Sequence, residues 1–235
     1  MLDSAALRAR LADVRERIAR AAGRAGRDPA SVQLVAISKT FDAEHVLAAA
    51  ETGQVDFGEN KVQEGLQKME RTGAIPLRWH LVGHLQSNKA RRAAARFDVI
   101  HSVDTLNLAV MLDQAAAAAG RTIELLAQVD LAGEPTKHGA REDDLLAIFD
   151  AGRGFRAARL TGLMLLPPAV GDPEEARRYF RALRSVREHL MTRGVDRSML
   201  SKLSMGMSHD FEIAVEEGAT LVRVGTAIFG SRTHV

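Results

Sequence analysis

The stretch LVAISKT, residues 34–40, decides how the rest of the chain is read. Leu34, Val35, Ala36 and Ile37 make an unbroken apolar run, the pattern of a strand buried on both faces in a parallel sheet. The run stops in Ser38, Lys39 and Thr40. A lysine just past such a strand lies at the rim of a sheet or barrel, where apolar walls desolvate its amine. Desolvation disfavours the ammonium, and only the neutral amine attacks a carbonyl carbon. Lys39 is therefore a candidate Schiff-base lysine; the alternative in this place is a solvated strand end.

Working outward, the same alternation of buried strand and amphipathic helix repeats to the end. Ahead of the run, Leu7, Leu11, Val14 and Ile18 share one helical face, with Asp3 or Ser4 as cap, Gly23 and Gly26 as stop and Asp28-Pro29 as turn. The first strand covers 32–38. Strands then follow at 55–57, leading into Gly58-Glu59-Asn60, and at 78–82, 98–101, 123–129, 160–166, 202–204 and 221–224. Helices are predicted between them at 43–52, 61–70, 86–96, 104–119, 141–151, 173–193 and 209–217, with only the loop GTAIFG after the last strand. Strict βα alternation implies parallel strands and right-handed crossovers. Eight units fit a closed (β/α)8 TIM barrel better than an open sheet. No linker or composition break divides the chain, which predicts one α/β domain over residues 1–235 with an extra N-terminal helix.

Composition narrows the function. Lys and Arg number 32 against 30 Asp and Glu, a net +2 that calls for neither nucleic acid nor a membrane surface. Zero cysteines exclude disulfides, thiolate metal sites and cysteine catalysis. No apolar run reaches transmembrane length, and the mixed-charge N-terminus is unlike a signal peptide, so a cytoplasmic location is expected.

In such a barrel the working groups sit on loops after the strand C-termini. Lys39 falls after strand one, Asn60 after two, His84 after three, His101-Ser102 after four and Lys137-His138 after five; Met164 lies near the end of six. Strand seven runs into Ser204-Met205-Gly206-Met207-Ser208 and strand eight into Gly225-Thr226. Loops seven and eight frequently build a phosphate site. Hydroxyls at Ser204, Ser208 and Thr226 and the absent side chains of Gly206 and Gly225 suit one; ordinary turns and capping by Ser208 or Asp210 are the alternative. Lys39 on one side and a phosphate cradle on the other suggest a single ligand carrying an aldehyde and a phosphate, as pyridoxal 5′-phosphate (PLP) does.

The stretches AISKT (36–40), DFGENKVQE (56–64), WHLVGHLQSNK (79–89), LTGLMLLPP (160–168), LSMGMSHD (203–210) and VRVGTAIFG (222–230) together resemble the pyridoxal phosphate homeostasis protein family. The resemblance implies a barrel like the N-terminal domain of alanine racemase, of PLP fold-type III, with PLP as a Schiff base on Lys39. It implies a protein that carries or buffers PLP and keeps vitamin B6 and amino acids in balance, without established catalysis. It marks Ser204, Gly225 and Thr226 as phosphate contacts, Met205 and Gly206 as lining the same loop, and Asn60 as facing the cofactor. It sets Arg223 beside either the ring nitrogen or the phosphate. His84 stands at a position that varies in the family. Against the ring nitrogen, a permanent cation would keep that nitrogen unprotonated and weaken the ring as an electron sink.

Two other readings compete. One is a weak racemase or decarboxylase. A racemase needs a second acid or base opposite the lysine, and the only tyrosine, Tyr179, reads as helix packing. The related racemases take that tyrosine from a further β domain, and none is expected after the eighth strand here. The other reading is an RNA or protein adaptor using the basic face of 86–96, with Lys89, Arg91, Arg92 and Arg96. The histidines His80, His84, His101, His138 and His209 fall on different loops without chelating spacing, so no metal site is expected. Lys137 is a secondary candidate amine acceptor. PLP-dependent apo-enzymes are the expected protein partners of a monomer or weak dimer.

Overall fold

The computed structural model describes residues 3–73, 75–131 and 138–230. The apolar runs form β1 (Gln33–Ile37), β2 (Asp56–Glu59), β3 (Arg78–Leu81), β4 (Val99–Val103), β5 (Ile123–Val129), β6 (Ala158–Leu165), β7 (Lys202–Met207) and β8 (Leu221–Val224). Each strand pairs in parallel with the next, and β8 pairs with β1 to close the barrel. The helices are α1 (Ser4–Arg24), α2 (Ala43–Ala50), α3 (Val62–Thr72), α4 (Ala90–Ala94), α5 (Leu106–Ala118), α6 (Glu142–Gly152), α7 (Arg177–Thr192), α8 (Phe211–Glu216) and α9 (Thr226–Phe229).

Side chains alternate across each strand, and the two faces make two cores. On β1, Leu34 and Ala36 point outward into the layer that also holds Leu7, Leu11 and Val14 of α1. Val35 and Ile37 point inward and pack with Val82, Val99, Leu126, Met164 and Leu221 in the barrel's bore. Both faces of β1 are dry, which is why its sequence is continuously apolar. Gly162 lets β6 and β7 approach: a Cβ there would stand 2.0 Å from the Lys202 carbonyl oxygen.

The N-terminal helix covers the seam between first and last units. Asp3 caps it by accepting from the Ala6 N–H at 3.0 Å. Arg17 pairs with Glu212 at 2.9 Å, and Arg27, just past the helix, donates to the Val215 and Ala219 carbonyls at 2.6 and 2.8 Å, so α1 and the turn that follows it are tied to α8 and its end.

Some boundaries differ from those expected. The basic segment 86–96 is a 3-10 turn, Ser87–Lys89, followed by only five residues of α4. Its buried face is all alanine, Ala90, Ala93 and Ala94, too little apolar surface to hold a longer helix. Strand seven continues to Met207 because the register with β8 shifts between Ser204 and Met207. Strand eight, expected to end in a loop, leads into α9. Among the described residues no helix is long and apolar enough to cross a membrane.

Candidate functional site

Lys39 leaves β1 in a turn at the C-terminal mouth of the barrel, half-buried. The backbone on either side of it is held by a charged cluster from β2 and α3. Lys68 donates to the Ser38 carbonyl at 2.7 Å, to Glu59 Oε1 at 2.6 Å and to Glu64 Oε1 at 3.0 Å. Ser38 Oγ donates to the same Glu59 oxygen at 2.6 Å, and the Thr40 N–H donates to Glu64. Thr40 has φ +71°, a left-handed conformation costing a β-branched residue roughly 1–2 kcal/mol. The bond to Glu64 holds that conformation and so sets the direction in which the chain turns after Lys39. Burial pushes the Glu59 carboxyl up, against the opposing pull of Lys68. Its Oε2 has no hydrogen-bond partner among the described residues.

The loops after β7 and β8 meet beside this turn. A Cβ on Gly225 would lie 3.2 Å from the Ile37 carbonyl oxygen, so the β8 loop rests against the end of β1. The N–H groups of Gly225 and Ala227 converge on one oxygen, Ser208 Oγ, at 3.0 and 3.3 Å. Thr226 between them is exposed. Gly206 has φ +92°, and a Cβ on it would meet Ala214 Cβ at 2.5 Å, so the β7 loop needs glycine for conformation and space alike. Asp210, raised by burial, accepts the Met207 N–H at 2.6 Å and closes the turn.

Arg223 points into the bore and is 3% exposed. Its Nη1 donates to Ser204 Oγ at 2.6 Å and its Nη2 to the Leu165 carbonyl at 2.7 Å. Burial brings its pKa down to about 10. On β8 it stands in register with Val35, below the level of Lys39.

Of the residues expected at the site, Lys39, Asn60, Gly206, Gly225 and Thr226 lie at the C-terminal ends of β1, β2, β7 and β8, with Arg223 just below. Asn60 is half-buried, and the backbone of Gly83 fits against it so closely that a Cβ there would be 2.2 Å from the Asn60 oxygen. Two further expected residues sit deeper in the fold. Ser204 is fully buried and engaged by Arg223 and by His101, whose Nδ1 is 2.8 Å away, so its hydroxyl is taken up inside the barrel. Met205 is fully buried in the outer core between barrel and helices, because alternation sends it to the face opposite Ser204. Glu59, Glu64 and Lys68 were not singled out from sequence; the i, i+4 spacing of Glu64 and Lys68 was the available signal.

Three other positions complete the mouth. Residues 84, 104 and 138 are separated in sequence, yet His84, Asp104 and His138 come together, with ligand atoms all within 4.8 Å of one another. The His84 and His138 rings stack at 3.5 Å and 10°, and Asp104 is 3.5 Å from His84. Nearly parallel stacked rings cannot both aim an in-plane lone pair at one ion, so the cluster as it stands is not a chelate. Lys137 lies outside the described residues. Tyr179 packs against the outer core, with Arg178 over its ring at 4.8 Å.

A family described as the alanine racemase N-terminal domain matches residues 5–233. The chain belongs to that family and, within it, to the pyridoxal phosphate homeostasis proteins. It is 40% identical to the pyridoxal phosphate homeostasis protein of Aquifex aeolicus, over 96% of this chain and 98% of that one. It is 42% identical to that of Pseudomonas aeruginosa, over 95% of each. Among solved structures it is similar to PipY of Synechococcus elongatus PCC7942 with PLP bound, with a TM-score of 0.84 and 40% identity over 95% of this chain and all of that one. Alanine racemase from Streptomyces coelicolor, 20% identical, shares the fold with a TM-score of 0.71 over 98% of this chain and 59% of its own.

Proposed function

We propose that this homeostasis-family chain binds PLP through Lys39 and stores and hands on the vitamer, rather than turning over a substrate. The observation that carries this is the meeting of β1 with the β8 loop. The residue after Ser38 is a lysine, and within a few ångströms of that strand end two N–H groups already converge on an oxygen.

The residues fit the ligand. PLP would supply an aldehyde, which an uncharged amine attacks to form a C=N bond with loss of one water. Lys39 provides the amine, and the Glu59–Lys68–Glu64 cluster fixes the backbone from which it extends. The N–H groups of Gly225 and Ala227, with the hydroxyl of Thr226, hold the phosphate; Ser208 Oγ marks where a phosphate oxygen would accept. Gly225 and Gly206 leave room for close approach. Arg223 serves the ring end from below, and Asn60 a ring face. Ser204 belongs to the mount of Arg223. Met205 and Gly206 shape the loop without donating a side-chain bond. A buried cation at the ring nitrogen restrains carbanion chemistry, which favours storage over turnover. The cysteine-free chain passes PLP to apo-enzymes in the cytoplasm.

The test is spectral. Purified protein incubated with PLP should turn yellow, and borohydride should fix one PLP mass on the peptide containing Lys39, with Lys39→Ala losing both. Protein that stays colourless overturns the proposal. So does Lys39-dependent exchange of the α-proton across an amino-acid panel at an enzyme's pace, which would make the chain a racemase or decarboxylase.

A further inference from the structure

The bore of a small barrel is ordinarily packed with branched apolar side chains, and most of this one is. One line through it is polar. Arg223 Nη1 lies 2.6 Å from Ser204 Oγ, Ser204 Oγ 2.8 Å from His101 Nδ1, His101 Nε2 2.9 Å from His80 Nδ1, and His80 Nε2 2.9 Å from Asp56 Oδ1. The five residues come from β8, β7, β4, β3 and β2. The link from β7 to β4 joins strands that are not neighbours, so the line crosses the bore. Ser204, His80 and His101 are fully buried; Asp56, at the N-terminal end, is the one member partly open to solvent.

The line has one possible direction. A guanidinium has no acceptor, so Arg223 donates to Ser204. A carboxylate has no proton, so Asp56 accepts from His80 Nε2–H. A neutral imidazole carries one N–H, which leaves His80 Nδ1 to accept from His101 Nε2–H, and His101 Nδ1 to accept the Ser204 hydroxyl proton. Burial pushes both histidines down, His101 further, so both stay neutral. Burial alone would raise the Asp56 carboxyl, yet the bonds from His80 and Gln33 bring it down. Below the line, Glu124 sits between Arg78 and Lys202.

We propose that Asp56, His80 and His101 are positioning residues that hold Ser204 and Arg223 in one fixed orientation toward PLP at the mouth of the barrel. The proposal deepens the PLP-binding reading and rests on it. Four links, three of them buried and one part-buried, each contribute on the order of 1 kcal/mol net, no better than apolar packing of the same volume, so stability alone does not account for them. What they add is direction. Ser204 spends its only proton on His101 and has none for a phosphate oxygen. Arg223, pinned by Ser204 and the Leu165 carbonyl, presents its remaining N–H groups at a set angle.

The first test needs no cofactor. Nitrogen-15 spectra of the histidines at neutral pH should show His80 and His101 protonated at Nε2 and bare at Nδ1. A proton on Nδ1 of either one overturns the proposal. The second uses PLP-loaded protein. His101→Val removes the acceptor for Ser204, whereas His101→Asn places an amide oxygen near the same position. The Val variant should release PLP about tenfold faster and shift the visible absorption maximum, with Asn returning both most of the way to wild type. Val and wild type indistinguishable in both readouts would overturn the proposal while leaving PLP binding intact. Wild type that forms no reducible adduct on Lys39 would instead remove the PLP reading, and the nitrogen-15 result would still decide the direction of the line. If the Val variant does not fold, the wild-type spectra decide alone.

Discussion

Beneath Lys39 one ammonium, Lys68, meets two carboxylates, Glu59 and Glu64, within 3.0 Å. Beneath Arg223 a single cation is led away through three neutral groups to a carboxylate on another strand. Both systems are buried and polar, and they hold different things. The ion cluster grips backbone, the Ser38 carbonyl and the Thr40 N–H, and so sets where a side chain starts. The neutral line grips a side chain and sets where it points, without bringing a counter-ion into contact with it. Anchoring a main chain calls for strong short-range attraction. Orienting a charge that must still be felt by a ligand calls for partners that do not cancel it.

The two designs should fail differently. The largest effect is expected from Lys68→Met, which leaves Glu59 and Glu64 without their cation. A broken buried pair costs about 3–5 kcal/mol, read as a fall in the urea midpoint at pH 7. Adding Glu59→Gln should recover a substantial part of it, because the uncompensated charge goes with the carboxylate; strict additivity of the two losses would show that the cluster is not a coupled unit.

Acid should separate the two regions by sign. His80 and His101 are lowered by burial from the ordinary 6.5, so the unfolded chain binds more protons than the folded one below that pH. Stability is then lost as pH falls from about 6.5 toward the depressed folded values, at up to about 1.4 kcal/mol per pH unit for each histidine. Glu59, raised by burial, works the other way: the folded chain takes its proton more readily, which favours folding as pH falls. The histidines should therefore cost the chain stability as pH falls below about 6.5, and Glu59→Gln, which removes a contribution of opposite sign, should never make that loss shallower. A flat profile over that range in the Glu59→Gln variant would mean that the histidines are not held neutral.

A smaller effect is expected at the mouth. Ser208→Ala leaves the N–H groups of Gly225 and Ala227 without their acceptor, at about 1 kcal/mol in thermal unfolding. Saturating PLP should reduce that loss, since a phosphate oxygen takes over as acceptor. The smallest belongs to Arg91→Glu with Arg92→Glu on the exposed face of α4: no resolvable change in unfolding midpoint or in the PLP adduct. A salt-sensitive RNA affinity lost in this double variant would revive the adaptor reading.

Much of this was legible in the chain itself. Eight apolar runs with amphipathic segments between them specify a parallel barrel, since only burial on both faces makes a continuous apolar strand favourable. The placement of Lys39, Gly225 and Thr226 at the mouth was readable because a barrel's loops gather at the strand C-termini whatever their sequence. The apolar pattern ends strand seven at Ser204, with Met205 beyond it. A register shift that no local pattern announces extends it to Met207, and the pleat then turns Ser204 inward and Met205 outward.

The order of strands and the place of the mouth thus follow from periodicity, a property of neighbours along the chain. Which polar groups meet inside does not. His101 and Ser204 are 103 residues apart, and only closure of the sheet brings their strands to face each other across the bore. The direction of their bond is tertiary too. It depends on an arginine that cannot accept and an aspartate that cannot donate, standing at the two ends of a line that exists only in the folded barrel.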